Sequence, residues 1–135
     1  MYPASPRGFT DLSARTSWLA GGALSNAQAA LDGDRNTAAV SDYQYAGADI
    51  TLDLQRPCLF QMVVLDHGKS EIGFARRVAV STSLDGNIFI DRYVAPDLRG
   101  VATLSLPTPV LARYVRIKAI VPGSQPWSIA EIYLE

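Results

Sequence analysis

Apolar and polar residues alternate with a period of two over most of this chain. In residues 48–54 the apolar Ile50, Leu52 and Leu54 stand between Asp49, Thr51 and Asp53, the pattern of a strand with one buried and one wetted face. Residues 113–120 repeat it, with Val115, Ile117 and Ala119 expected inward and Tyr114, Arg116 and Lys118 outward. The C-terminus does so again, Ala130, Ile132 and Leu134 inward and Glu131, Tyr133 and Glu135 outward. Residues 60–65 are apolar on both faces, which predicts a central strand. Residues 78–83 and 88–93 flank Leu84-Asp85-Gly86-Asn87, and Asp-Gly between two strand-like runs predicts a hairpin. Residues 101–106 and a first strand near residues 12–18 bring the count to about eight. Helical character is confined to one short turn around residues 26–31. Short strands divided by Gly, Pro and Asp turns predict an all-β, antiparallel sandwich or barrel.

Length and composition narrow the function classes. At 135 residues the chain is one domain, large enough to bury about two thirds of its unfolded surface without staples. A hydrophobic content of 48% with a net charge of −1 excludes a disordered chain. Twelve basic against 13 acidic residues give no electrostatic case for a nucleic-acid partner. The longest apolar stretch, residues 58–65 with Gln61 inside it, is too short to span a bilayer. A single cysteine, Cys58, excludes an internal disulfide and a cysteine zinc cluster, and it reads as a small core residue. Residues 1–7 carry no apolar signal-peptide core. Residues 1–11 are expected to be an extension or linker, and residues 12–135 the domain. The expected source is a larger extracytoplasmic chain (secreted, periplasmic or cell-surface); a native Met1 would instead imply an intracellular protein.

Charge is unevenly placed. Five of the ten aspartates fall between Asp32 and Asp53, which with Arg35 leaves −4 there; residues 56–118 carry nine basic against five acidic groups, or +4. Asp32-Gly33-Asp34-Arg35-Asn36-Thr37 sets oxygen side chains at alternate positions in a glycine-containing loop, as a hard cation such as Ca²⁺ requires. An EF-hand is excluded, because Thr37 stands where that loop demands Gly and Tyr43 where it demands Glu. The plain alternative is an Asx turn at Asp32 with Glu131 solvated.

Five segments occur in the order seen in discoidin domains, also called coagulation factor 5/8 type C domains. They are Ala30-Leu31-Asp32-Gly33-Asp34-Arg35-Asn36-Thr37, Ile50-Thr51-Leu52-Asp53-Leu54, Ser83-Leu84-Asp85-Gly86, Ala112-Arg113-Tyr114-Val115-Arg116-Ile117 and Ser128-Ile129-Ala130-Glu131-Ile132. The chain resembles that family over residues 12–135, including its family 32 carbohydrate-binding modules, and residues 123–132 are similar to galactose-binding members. The resemblance implies an antiparallel jelly-roll β-sandwich of about eight strands. It also implies a structural Ca²⁺ or Na⁺, held by the carbonyls of Ala29 and Ala130, the carboxylates of Asp32, Asp34 and Glu131, and Thr37 through its carbonyl and hydroxyl. Three carboxylates drawn from segments about a hundred residues apart would repel without a cation.

In that family the loops at one end of the sandwich bind the ligand, and the fold does not fix which ligand. The corresponding loops here are residues 41–47, 67–74, 95–100 and 121–127. Tyr43, Tyr45, Phe74 and Trp127 are candidates to stack on a sugar ring; His67, Lys69, Glu71, Arg76 and Arg99 are candidates to hydrogen-bond its hydroxyls. Trp127 also reads as a core cap, and His67 as a strand-end surface histidine. Ala38-Ala39-Val40 stands where galactose-binding members carry Trp-His, so a standard galactose site is not expected. One histidine, one cysteine and no Gly-x-Ser-x-Gly leave no nucleophile–base pair to propose. The expectation is therefore a non-catalytic binding module for a glycan or glycoprotein, one domain of a larger chain. A protein-interaction module for adhesion or assembly is the alternative, and lipid binding ranks third.

Overall fold

The alternating segments become strands, and in the computed structural model they pair antiparallel throughout. The structure describes residues 12, 15–41, 46–70, 73–97, 100–121, 123 and 126–135. Among these lie eight strands: β1 (Leu19–Gly22), β2 (Ala39–Val40), β3 (Asp49–Asp66), β4 (Arg77–Ser83), β5 (Ile90–Pro96), β6 (Val101–Val121), β7 (Ser128–Ile129) and β8 (Glu131–Leu134). Two short 3₁₀ turns, Arg15–Ser17 and Ala27–Leu31, complete the elements.

The long strands β3 and β6 form the spine, paired from Asp49↔Lys118 to Asp66↔Val101 with register shifts between Asp53 and Cys58 and between Phe60 and Met62. Burial records the second shift: Ile50, Leu52, Leu54, Cys58 and Phe60 face inward on even numbers, then Val63 and Leu65 on odd ones. A bulge does this by inserting residues that reverse which face of the strand meets the core. Beyond the shifts, β1, β4 and β5 extend one half of the spine and β8 the other, while β2 and β7 form a separate ribbon. Both halves turn their apolar face to one core, where Trp18, Leu31, Ile50, Leu65, Leu104, Ile117, Trp127 and Ile132 pack together. This is the antiparallel β-sandwich expected from the periodicity.

Four local expectations need correction. The described part of the first strand predicted over residues 12–18 is not strand: Trp18 N closes a 3₁₀ turn onto Arg15 O at 3.1 Å, and β1 begins at Leu19. Residues 101–106 and 113–120 belong to one continuous strand, whose intervening Pro107 and Pro109 are exposed, where a missing donor costs no ladder bond. Strand β5 starts at Ile90, and Ile88 is 72% exposed. The reason is the Asp85 carboxylate, which accepts the N–H groups of Asn87 (2.8 Å) and Ile88 (3.0 Å) and keeps both in the turn. Finally Glu131, expected outward, is 0% exposed.

Candidate functional site

Strand ends bring the four predicted loops to one end of the sandwich, where backbone bonds lace them together. Ser41 N donates to Trp127 O at 2.9 Å, Ser128 N to Gly73 O at 2.9 Å, Arg76 N to Val121 O at 2.9 Å, and His67 N to Gly100 O at 2.8 Å. Trp127 N donates in turn to Ser41 Oγ at 3.1 Å.

Beneath these loops lies a buried polar hub. Asp97, 2% exposed, accepts at Oδ2 from Ala75 N (2.9 Å), His67 Nε2 (3.1 Å) and Trp127 Nε1 (3.2 Å). His67 Nδ1 lies 3.0 Å from Gly100 O. Each ring nitrogen thus faces an acceptor, and both are satisfied only when both carry protons. Burial pulls the His67 pKa down, but the Asp97 carboxylate, the Gly100 carbonyl and Asp66 together outweigh it and the net shift is upward.

This hub corrects two of the ligand candidates. His67 and Trp127, at 1% and 0% exposure, are core side chains that hold the loops and offer no face to a sugar. Lys69 and Arg76 are exposed at the same end, and the half-buried Phe74 meets the His67 ring edge-on at 6.4 Å. Tyr43, Tyr45, Glu71 and Arg99 lie outside the described residues. Asp97 was missed by the sequence reading, though it stands inside a loop that reading singled out.

The acidic loop is ordered by its own side chains. Asp32 Oδ1 accepts Asp34 N at 2.8 Å, its Oδ2 accepts the Thr37 hydroxyl, and Asp34 Oδ1 accepts Asn36 N at 2.8 Å. The Thr37 hydroxyl and the Asp34 N–H hold the Asp32 pKa below the usual carboxylate value. Arg35 reaches across to Asp66, Nε to Oδ2 at 2.7 Å. Glu131 accepts Gly33 N at 3.2 and 3.1 Å and Arg15 Nη1 at 2.7 Å. The same Nη1 donates to Ile132 O at 3.0 Å, and the Arg15 guanidinium covers the Tyr133 ring at 4.1 Å. Desolvation raises the Glu131 pKa, and neighbouring Asp32 adds to the rise against the pull of Arg15. Arg15 was not anticipated from sequence.

These residues fit a hard cation in part. Asp32 and Glu131 act on one another, as two carboxylates sharing a site do, and Ala29, Asp32 and Thr37 line one open hollow of about 310 Å³ with Asn26 and Gln28. Among the described residues, however, no group of three His, Cys, Asp or Glu side chains is gathered closely enough to hold a metal. A cation here would rest on two carboxylates and on neutral oxygens from Thr37 and the backbone.

The fold has solved counterparts. CpGH89CBM32-5 from Clostridium perfringens, in complex with GalNAc-β-1,3-galactose, is 21% identical with a TM-score of 0.75 over 87% of this chain and 92% of its own. CBM32-3 from a family 31 glycoside hydrolase of the same organism is 22% identical with a TM-score of 0.72, covering 97% of this chain and 99% of its own. The CBM32 of AlyQ, in complex with 4,5-unsaturated mannuronic acid, is 19% identical with a TM-score of 0.70, covering 88% and 93%. No curated protein sequence matches the chain. The model of the F5/8 type C domain matches residues 11–132. With the jelly-roll fold and the segments that resemble it, this match places the chain in the F5/8 type C domain family.

Proposed function

We propose that this domain is a non-catalytic carbohydrate-binding module whose ligand sits on the four-loop end of the sandwich. The observation that carries the reading is the convergence of those loops on a buried hub, with Lys69 and Arg76 exposed above it. A rigid platform of this kind costs little ordering entropy when a ligand docks. Structural neighbours in complex with GalNAc-β-1,3-galactose and with 4,5-unsaturated mannuronic acid support the ligand class. Among the described residues of these loops Lys69 and Arg76 are exposed donors, while Asp66 is engaged by Arg35 and Asp97 by the hub. That balance favours a sugar presenting acceptor oxygens, a carboxylate included. The chain's one histidine is locked onto Asp97 and is not available to activate a nucleophile.

Calcium, or sodium in its place, is the proposed structural ion, held by Asp32, Thr37 and Glu131 with the carbonyls of Ala29 and Ala130 and with Asp34 at the rim. Its role is to hold the acidic loop against the last strand. A larger extracytoplasmic glycan-active chain is the proposed context, supported by a neighbour that comes from a glycoside hydrolase.

A glycan array carrying galactose-type and uronate-type sugars tests the reading. Lys69→Ala and Tyr43→Ala should each lower retention on the positive sugars at least tenfold with Tm unchanged. A silent array on a folded, calcium-loaded domain sinks the carbohydrate reading and favours a protein partner.

A further inference from the structure

We propose that His67, held as an imidazolium between Asp97 and Gly100, is the positioning residue of the loop end, so that loss of its proton loosens the loops and weakens ligand binding. The last step rests on the carbohydrate reading; the positioning step does not.

The geometry carries it. His67 Nε2 lies 3.1 Å from Asp97 Oδ1 as well as from Oδ2, and Oδ1 has no hydrogen-bond partner among the described residues. Asp97 is therefore a buried acid whose ion-pair partner among the described residues is this ring. Remove a proton from either nitrogen and a lone pair faces an acceptor oxygen, while the carboxylate is left uncompensated in the core. The same carboxylate ties Ala75 and Trp127 to the segment after β5, so one titration bears on three loops. The groups that bear on His67 are Asp97 after β5, Asp66 at the end of β3, itself paired with Arg35, and the Phe74 edge. The raised His67 pKa sets the sign. Its contribution to stability is fully present below the unfolded value of 6.5 and is lost as pH rises through the folded value.

Since the chain holds one histidine, its ring resonances are unambiguous. Two-bond proton–nitrogen NMR on the wild-type domain, titrated from about pH 5.5 to about pH 9, should show both ring nitrogens protonated at the acid end and a midpoint above 6.5. The amides of Gly68, Gly73, Ala75 and Gly100 and the Trp127 indole should follow that midpoint, and Tm should fall over the same range. Asp97→Asn should lower the midpoint, and His67→Gln should abolish the pH dependence of the loop amides. If neither variant folds, the wild-type titration alone decides. A neutral tautomer near pH 6, a midpoint at or below 6.5, or loop amides indifferent to the titration overturns the positioning role. Retention on a galactose or uronate matrix should drop at least tenfold between about pH 6 and about pH 9. Flat retention overturns the coupling to binding. Absence of retention at every pH overturns the carbohydrate reading instead and leaves the NMR result to judge His67.

Discussion

Replacing Arg15 by methionine removes the guanidinium from Glu131 while keeping much of the apolar stem. In the native fold the two meet at 2.7 Å, with side-chain exposures of 14% for Arg15 and 0% for Glu131. Deleting one partner of a buried pair costs about 3–5 kcal/mol, because the other charge stays buried without compensation. Gly33 N still reaches Glu131 and Arg15 keeps some contact with water, so the lower end, about 3 kcal/mol at pH 7, is expected. For a domain of this size that is a fall in Tm of about 10 °C. The sign of the pH dependence is fixed by Glu131. Its pKa is raised above 4.5, so its contribution is fully present below that value and is lost as pH rises through the folded one. The Arg15→Met loss should therefore shrink near pH 4, where Glu131 is protonated and needs no counter-charge. Glu131→Gln in the same background should recover part of the loss, since a double-mutant cycle isolates the pair. Thermal unfolding by circular dichroism at both pH values measures all of this. A loss under about 1 kcal/mol at pH 7, or an equal loss at both pH values, refutes the claim that Arg15 compensates a buried charge.

Gly68 has φ +64°, and a Cβ there would sit 2.8 Å from both the Ala130 Cβ and the Arg35 carbonyl oxygen; Gly68→Ala should cost at least about 2 kcal/mol by left-handed strain plus crowding, read as a lower denaturation midpoint at unchanged m-value. Excess Ca²⁺ at about a hundred times its dissociation constant should stabilise the domain by about 2.7 kcal/mol, and Asp32→Asn should abolish that shift; an unchanged Tm with elemental analysis showing no bound metal sinks the cation proposal. Asp53 and Asp66 have pKa values held below 3.8, chiefly by Arg113 and Arg35. Their contributions are present above 3.8 and vanish as pH falls through the folded values, so acid titration should show destabilisation there, of which Arg113→Met removes the Asp53 part and Arg35→Met the Asp66 part.

The strands could be read from sequence because their signal is local. Alternation at Ile50, Leu52 and Leu54 is what one wetted and one buried face imposes on neighbouring residues, and the structure buries those three. What escaped reading depends on partners distant in sequence. Glu131 breaks the outward alternation of β8 because Arg15, 116 residues away, arrives to cover it. His67 looks from sequence like a strand-end surface histidine and Trp127 like either a ligand-stacking aromatic or a core cap; Asp97, 30 residues from each, holds both in the core. The even-to-odd switch at Phe60 was likewise invisible, since residues 60–65 are apolar on both faces and any register satisfies them.

These long-range pairs divide by position. Arg15–Glu131 and Arg35–Asp66 fasten the acidic loop and an early segment to the ends of β8 and β3, so they hold the rim of the fold. His67–Asp97 with Trp127 instead fastens loops to one another, with no contribution to strand pairing. Polar groups this deeply buried are poor sources of net stability compared with an apolar replacement of the same shape. Their value here is directional: three donors from three segments converge on one carboxylate oxygen, which an apolar contact cannot specify. The hub thereby keeps the described bases of these loops in register. On the proposed reading, such a hub lets the loops change ligand without a change of fold as long as the histidine keeps its proton.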